Sequence, residues 1–167
     1  MKRFPSPFTF RGGIHPAYNK QATNGLPIRP LPFPPLLTIS LSQHLGAPAV
    51  PVVKAGDTVG GGQRLADPAG MISAPVHAPT SGTVLRIEAA PTPLGRPAPA
   101  IILQTDGADA WTHTLDPIAD WRSVDGKTLA QRVGAAGVVG MGGAGFPTQV
   151  KLSPPADKPI DTVILNG

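Results

Sequence analysis

The chain has 167 residues, a formal net charge of +4, no cysteine, and 42 residues that are Pro or Gly. The length suits one ordinary domain, or a small domain plus part of another. The missing cysteines exclude a disulfide framework and any thiolate metal site within the chain. A share of Pro and Gly near a quarter predicts short strands and many turns rather than long helices. Lys2, Arg3, Arg11, Lys20 and Arg29 give the first thirty residues a basic bias with no acidic residue to offset it. With no Lys/Arg run and no aromatic stacking platform, that bias points to a solvated or anion-facing arm rather than to nucleic-acid binding.

Met1-Lys2-Arg3-Phe4-Pro5 is not followed by an apolar segment, and no apolar run of about 18 residues occurs, so neither secretion nor a membrane span is expected. The expected place is the cytosol, or a membrane's face reached through a partner. Residues 1–35 read as an extended arm, because repeated prolines fix φ and remove donors; residues 26–37 suit a polyproline-like backbone.

From Leu36 to Leu45, Leu37, Ile39 and Leu41 alternate with Thr38, Ser40 and Ser42, the period of a half-buried strand. Gly56-Asp57-Thr58-Val59 and Ser81-Gly82-Thr83-Val84 then form a faint internal repeat whose Thr-Val pairs lie 25 residues apart. Ala100 to Thr105 is a further buried strand, expected to close the structure. Short strands punctuated by Gly and Asp predict a compact β-sandwich or barrel over 36–106.

The phrases Val53-Lys54-Ala55-Gly56-Asp57-Thr58-Val59, Gly62-Gln63-Arg64-Leu65 and Ala78-Pro79-Thr80-Ser81-Gly82-Thr83-Val84 resemble the biotinyl/lipoyl-type barrel-sandwich hybrid fold. Carriers of that fold modify a lysine on the hairpin between these phrases. Here Asp67-Pro68-Ala69-Gly70-Met71-Ile72 stands in that place, and no lysine occurs between Lys54 and Lys127. The module therefore reads as a structural or docking domain and not as a carrier.

Residues 107–126 form a connector with Trp111, Leu115, Ile118 and Trp121 as apolar anchors, the tryptophans being expected to pack. Leu129, Val133 and Ala136 fall on one helical face, predicting a short helix over 127–136 that ends at Gly137. Residues 160–167 are expected to form a buried strand ending at a ligand-facing Asn166-Gly167.

Between these lies Gly140-Met141-Gly142-Gly143-Ala144-Gly145-Phe146-Pro147-Thr148-Gln149-Val150-Lys151. Its glycines allow successive backbone N–H groups to approach a ligand closely, which is how a chain cradles phosphate, and Lys151 can reach back over the loop. Gly140, Gly142 and Gly145 satisfy GxGxxG, yet the dinucleotide fingerprint also needs a full preceding strand and an acidic residue about 20 positions on. Val138-Val139 is only a stub, and the following strand ends in Asn166. A kinase-type P-loop fails as well, since no Gly-Lys-Ser/Thr follows. His15, His44, His77 and His113 lack metal-ligand spacing, and Ser81 lacks a nucleophile elbow, so no metal ligand and no catalytic residue is assigned.

The loop closely resembles the flavin loop of the NADH-oxidising flavoprotein subunit of respiratory complex I and its relatives. Further phrases, Arg11 to Pro16, Asn19-Lys20, Leu26 to Arg29, Gln43 to Pro48, Pro75 to Gly82 and Lys151 to Pro154, resemble the C-subunit family of Rnf-type ion-translocating electron transport complexes. The resemblance implies that Gly140, Gly142, Gly143, Ala144 and Gly145 cradle FMN, with Lys151 as counter-charge and Thr148 beside it. Phe146 would supply an aromatic face, and Asn166 would touch the flavin. It implies 127–167 as the start of an α/β FMN/NADH-binding domain, NADH as hydride donor, two [4Fe–4S] clusters in full-length relatives that this chain cannot ligate, partner subunits, and a peripheral position on the cytoplasmic face of a bacterial inner membrane. A chain ending at Gly167 matches the amino-terminal third of such a protein and is expected to be inactive alone. The rival expectation is a freestanding biotinyl-like scaffold without redox activity.

Overall fold

The computed structural model describes residues 17–92, 95–112, 116–158 and 160–163. The chain divides into two compact units, Met1–Pro32 and Phe33–Gly167. In the first, Lys20 to Leu26 form a turn in which Thr23 and Asn24 both donate to the Lys20 carbonyl at 3.0 and 2.8 Å. The prolines that follow leave Leu26, Ile28 and Leu31 exposed in irregular backbone. Arg11 to Pro16, and Leu115 of the connector, lie outside the described residues.

The described residues of the second unit form seven strands. They are β1 (Leu36–Ser40), β2 (Val50–Pro51), β3 (Thr58–Val59), β4 (Arg64–Asp67), β5 (Val76–His77), β6 (Gly82–Ala90) and β7 (Ala98–Thr105). All pairings between these strands are antiparallel. One sheet has the order β1-β7-β6-β3 and the other β2-β4-β5. Side chains from both sheets meet in one core of Ile39, Leu41, Val59, Leu65, Val84, Ile101 and Leu103 with smaller neighbours. This is the mainly β barrel-sandwich hybrid that the sequence resemblance implies.

The alternating pattern of β1 delivers what its period demands. Ile39 and Leu41 are buried, and Leu37 packs against the core. Residues 100–103 lie in β7, flanked by β1 and β6 within the four-stranded sheet, and are buried on both faces, which explains their unbroken apolar run. The internal repeat has a structural meaning: its two copies pair with each other. Thr58 lies opposite Thr83 and Val59 opposite Gly82, while Gly56 N–H donates to the Val84 carbonyl and Val84 N–H to that of Asp57, at 2.8 and 2.9 Å.

Side-chain hydrogen bonds hold the turns. Ser81 Oγ donates to Asp106 at 2.7 Å and accepts from the Ala110 N–H at 2.9 Å; fully buried Thr80 donates to Asp109 at 3.0 Å. The bond from Ser81, supported by the Ala108 N–H, holds the Asp106 carboxyl below its ordinary value of 3.8. In the hairpin where carriers place their lysine, Ser73 Oγ accepts from Ala69 N–H at 3.0 Å and donates to the Ala47 carbonyl at 3.1 Å, and Met71 projects into solvent.

Two expectations fail. Trp111 and Trp121 are 60% and 54% exposed. The Trp111 ring lies flat over Gly61, where a Cβ would stand 2.9 Å from it, and the Trp121 ring is capped by the Arg122 guanidinium at 4.4 Å. Each ring thus finds a backbone or cation surface rather than the core. Residues 160–163 form no strand, and Ile160 and Val163 are 59% and 77% exposed; among the described residues no neighbouring strand lies there to satisfy their backbone.

Candidate functional site: a glycine loop docked on the β domain

Helix α1 (Gly126–Ala135) leads into the loop. Asp125 caps its start, accepting from Thr128 N–H at 3.0 Å and from Thr128 Oγ1 at 2.6 Å. These bonds keep the Asp125 carboxyl below its ordinary value of 3.8. The far end closes as the sequence predicts: Gly137 adopts φ +73, and its N–H donates to the Gly134 carbonyl at 3.0 Å. Two contacts tie this end to the β domain. Arg64 donates to the Ala135 carbonyl at 3.3 Å, and a Cβ on Gly137 would stand 2.7 Å from the Pro75 carbonyl oxygen.

The stub Val138-Val139 becomes one side of a pinched loop. Val139 bridges to Pro147 in antiparallel fashion; Gly140 N–H donates to the Phe146 carbonyl, and Thr148 N–H to the Val138 carbonyl, both at 3.0 Å. Residues 141–144 make the turn between them. At its tip, nothing lies within 4 Å of where a Cβ on Gly142 or Gly143 would stand. A short helix, α2 (Thr148–Lys151), follows Pro147 and brings Lys151 back over the loop. A Cβ on Gly140 would sit 2.6 Å from the Lys151 ammonium nitrogen.

Gly145 docks the loop onto the β domain. Its φ is +68, a Cβ there would stand 3.0 Å from the Gln43 carbonyl oxygen and from His44 Cα, and its carbonyl accepts from Leu45 N–H at 3.2 Å. His44 is itself buried, with Nδ1 3.1 Å from the Leu45 carbonyl and Nε2 3.5 Å from Ser73 Oγ.

Between loop and β domain lies a cleft of about 530 Å³. Gly140, Gly143, Ala144 and Gly145 line one wall with Val139 and Met141, while Ser42, Gln43, His44 and Arg96 stand on the other. The structure therefore brings most of the sequence-predicted residues to one place. Phe146 is half-buried behind the pinch, Thr148 starts α2, Gly142 is at the open tip, and Lys151 flanks Gly140. Asn166 lies outside the described residues. The β-domain wall was missed: Gln43-His44-Leu45 is recognisable as a phrase in the sequence, but nothing local ties it to a loop about a hundred positions away.

Among the described residues no group of three His, Cys, Asp or Glu could hold a metal. An anion is different: open backbone at Gly142 and Gly143 and a cation folded over Gly140 are the two features a phosphate cradle needs. The residues present therefore fit a flavin phosphate.

Comparison with known proteins places both parts of the chain in families. Residues 8–108 match the family model described as the RnfC barrel sandwich hybrid domain, and residues 133–167 match that of the Nuo51 FMN-binding domain. The C subunit of the Na⁺-translocating ferredoxin:NAD⁺ oxidoreductase complex of Acetobacterium woodii is 43% identical over 95% of this chain and 36% of its own length. The C subunit of the ion-translocating oxidoreductase complex of Pseudomonas aeruginosa is 47% identical over 95% of the chain and 20% of its own length. The proton-translocating counterpart of Clostridium ljungdahlii is 42% identical, over 95% and 35% respectively. The chain thus spans between a fifth and about a third of the length of these relatives. With a β-domain model covering more than half of its residues and a flavin-domain model covering the glycine loop, the chain belongs to the RnfC family.

Proposed function

We propose that this chain is the amino-terminal, flavin-side portion of a peripheral subunit in a membrane electron transport complex that couples NADH/ferredoxin electron transfer to ion translocation. The observation that carries the proposal is the coincidence of the FMN-binding match with a loop whose own lysine folds back onto its first glycine. On this reading the chain divides into an arm over 1–35, the barrel-sandwich domain over 36–106 as a docking element, a connector over 107–126, and the opening of the flavin domain over 127–167.

The residues have separate tasks. Backbone N–H groups of the turn over residues 141–145 hold the FMN phosphate, Gly140, whose own N–H goes to the Phe146 carbonyl, leaves room for the Lys151 ammonium, and Lys151 supplies the compensating charge. Thr148 offers a hydroxyl beside it, and Phe146 shields one side of the site from water. Asn166 is assigned to the flavin by resemblance alone. The chemistry that FMN would supply there is hydride acceptance from NADH and one-electron release; the residues of this chain would contribute its placement and electrostatics. By the same resemblance, full-length relatives would carry two [4Fe–4S] clusters for electron transfer, held by cysteines that this sequence does not contain. No described helix is long and apolar enough to cross a membrane; the assignment to the cytoplasmic face of a bacterial inner membrane, held by other subunits of the complex, rests on the family resemblance.

The test is replacement of Lys151 in the assembled subunit. Lys151→Ala is expected to weaken FMN retention about tenfold or more, the cost of one charge-assisted phosphate contact, while Lys151→Arg retains most of it. Full flavin content and unchanged NADH oxidation in Lys151→Ala would overturn the assignment of the flavin phosphate to this loop, whereas an assembled wild-type subunit that carries no flavin and oxidises no NADH would favour a scaffold without redox activity.

A further inference from the structure

The cleft has a second wall that the flavin-loop motif does not describe. It comes from the β domain, where the chain leaving β1 and, beside β6 and β7, Pro91, Thr92 and Arg96 line the cleft opposite the loop. Ser42 is fixed there because its N–H donates to Ser40 Oγ at 3.1 Å. The neighbouring Gln43 side chain donates to the Ser40 carbonyl at 2.9 Å. Arg96 is held by a turn in which Thr92 Oγ1 donates to the Arg96 carbonyl at 2.8 Å and Gly95 N–H to the Thr92 carbonyl at 3.0 Å. The bond from Leu45 to Gly145 ties this wall to the loop opposite.

The wall is chemically one-sided. Arg96 is a cationic side chain on the cleft lining, and no carboxylate stands among the described residues there. The described arginines at 64, 86 and 132 are all engaged in ion pairs. Arg96 has none among the described residues, and Ser42 Oγ likewise has no hydrogen-bond partner there. A planar guanidinium and a free hydroxyl, on a wall fixed relative to open glycine backbone, match the oxygens of a phosphoryl group. The volume suits part of a nucleotide.

We propose that Arg96 and Ser42 form a second anion-recognising wall, through which the barrel-sandwich domain binds a phosphoryl group of the nucleotide held at the glycine loop. That group belongs either to FMN or to NADH. The β domain is then part of the ligand site as well as a docking element. The inference rests on reading the loop as a flavin site, and the experiment separates the two.

Arg96→Ala, Arg96→Lys, Ser42→Ala and Lys151→Ala would be compared in the assembled subunit, with thermal melting to verify folding. Flavin per subunit would be measured, together with KM and kcat for NADH oxidation. If the phosphoryl group is the flavin's, Arg96→Ala lowers FMN retention about tenfold, with Arg96→Lys intermediate and Ser42→Ala weaker. If it is the nicotinamide nucleotide's, FMN content holds and KM for NADH rises about tenfold while kcat changes little. Wild-type flavin content and KM in both folded Arg96 variants would overturn the proposal. Where Lys151→Ala alone loses flavin, the second wall fails and the flavin-loop reading stands; where Lys151→Ala also keeps its flavin, the reading beneath it fails too.

Discussion

Replacing Gly145 by Ala probes the junction on which both walls of the cleft depend. The residue has φ +68, where an L side chain costs about 1–2 kcal/mol. The new Cβ would press at 3.0 Å on the Gln43 carbonyl oxygen and on His44 Cα, backbone atoms that cannot swing aside. Relieving that contact moves the Gly145 carbonyl away from Leu45 N–H, now 3.2 Å distant, forfeiting about 1 kcal/mol more. The expected cost is about 2–3 kcal/mol, a fall in Tm of about 4–12 °C for a chain of this size. Hydrogen exchange adds a local readout, because the Leu45 amide should lose protection while amides in the middle of β7 keep theirs. Gly143→Ala is the control: with open space around it and no left-handed φ, it should be nearly neutral. A Gly145→Ala protein that melts with the Gly143→Ala control and keeps its Leu45 amide protected would refute the docking argument.

Leu103 is fully buried and pairs with Leu37 on one side and Val84 on the other, so Leu103→Ala should cost about 3–5 kcal/mol and lower Tm by about 10 °C; thermal melting checks it. Acid should destabilise the fold in a definite window. Asp57, Asp106 and Asp125 all have carboxyls held below 3.8 in the folded chain, the first chiefly by the Lys54 N–H and ammonium. Their contribution is complete above the unfolded value and is lost as pH falls through 3.8 towards the lower folded values. Tm measured from about pH 5 down to 2 should therefore drop, and Asp106→Asn should flatten the drop. An Asp106→Asn profile parallel to wild type would count against the Ser81 hydrogen bond as the cause.

What could be read from the sequence was local. The alternation of Leu37, Ile39 and Leu41 and the cap at Gly137 each carry their cause within a few residues, and each takes the expected form. What was missed depended on partners far along the chain. Trp111 settles on Gly61, about fifty residues earlier, because a glycine leaves room for a ring there. The expected strand over 160–167 had the right composition, but β propensity expresses packing against neighbours, and its described part, 160–163, has no strand beside it among the described residues. The β-domain wall of the cleft is invisible for the same reason: Ser42 and Arg96 have no local pattern, and only the docking at Gly145 makes them neighbours of the loop.

The pairing of β1 with β7 also shapes how the chain is made. Leu37 waits for Leu103, its partner 66 residues later. At ribosomal rates of about 5–20 residues per second, this leaves the apolar strand unpaired for about 3–13 s during synthesis. Through that interval the edge carrying Leu37, Ile39 and Leu41 is open to pairing with other chains. Folding is correspondingly governed by non-local contacts, and its rate should be set by closing this long loop rather than by forming α1.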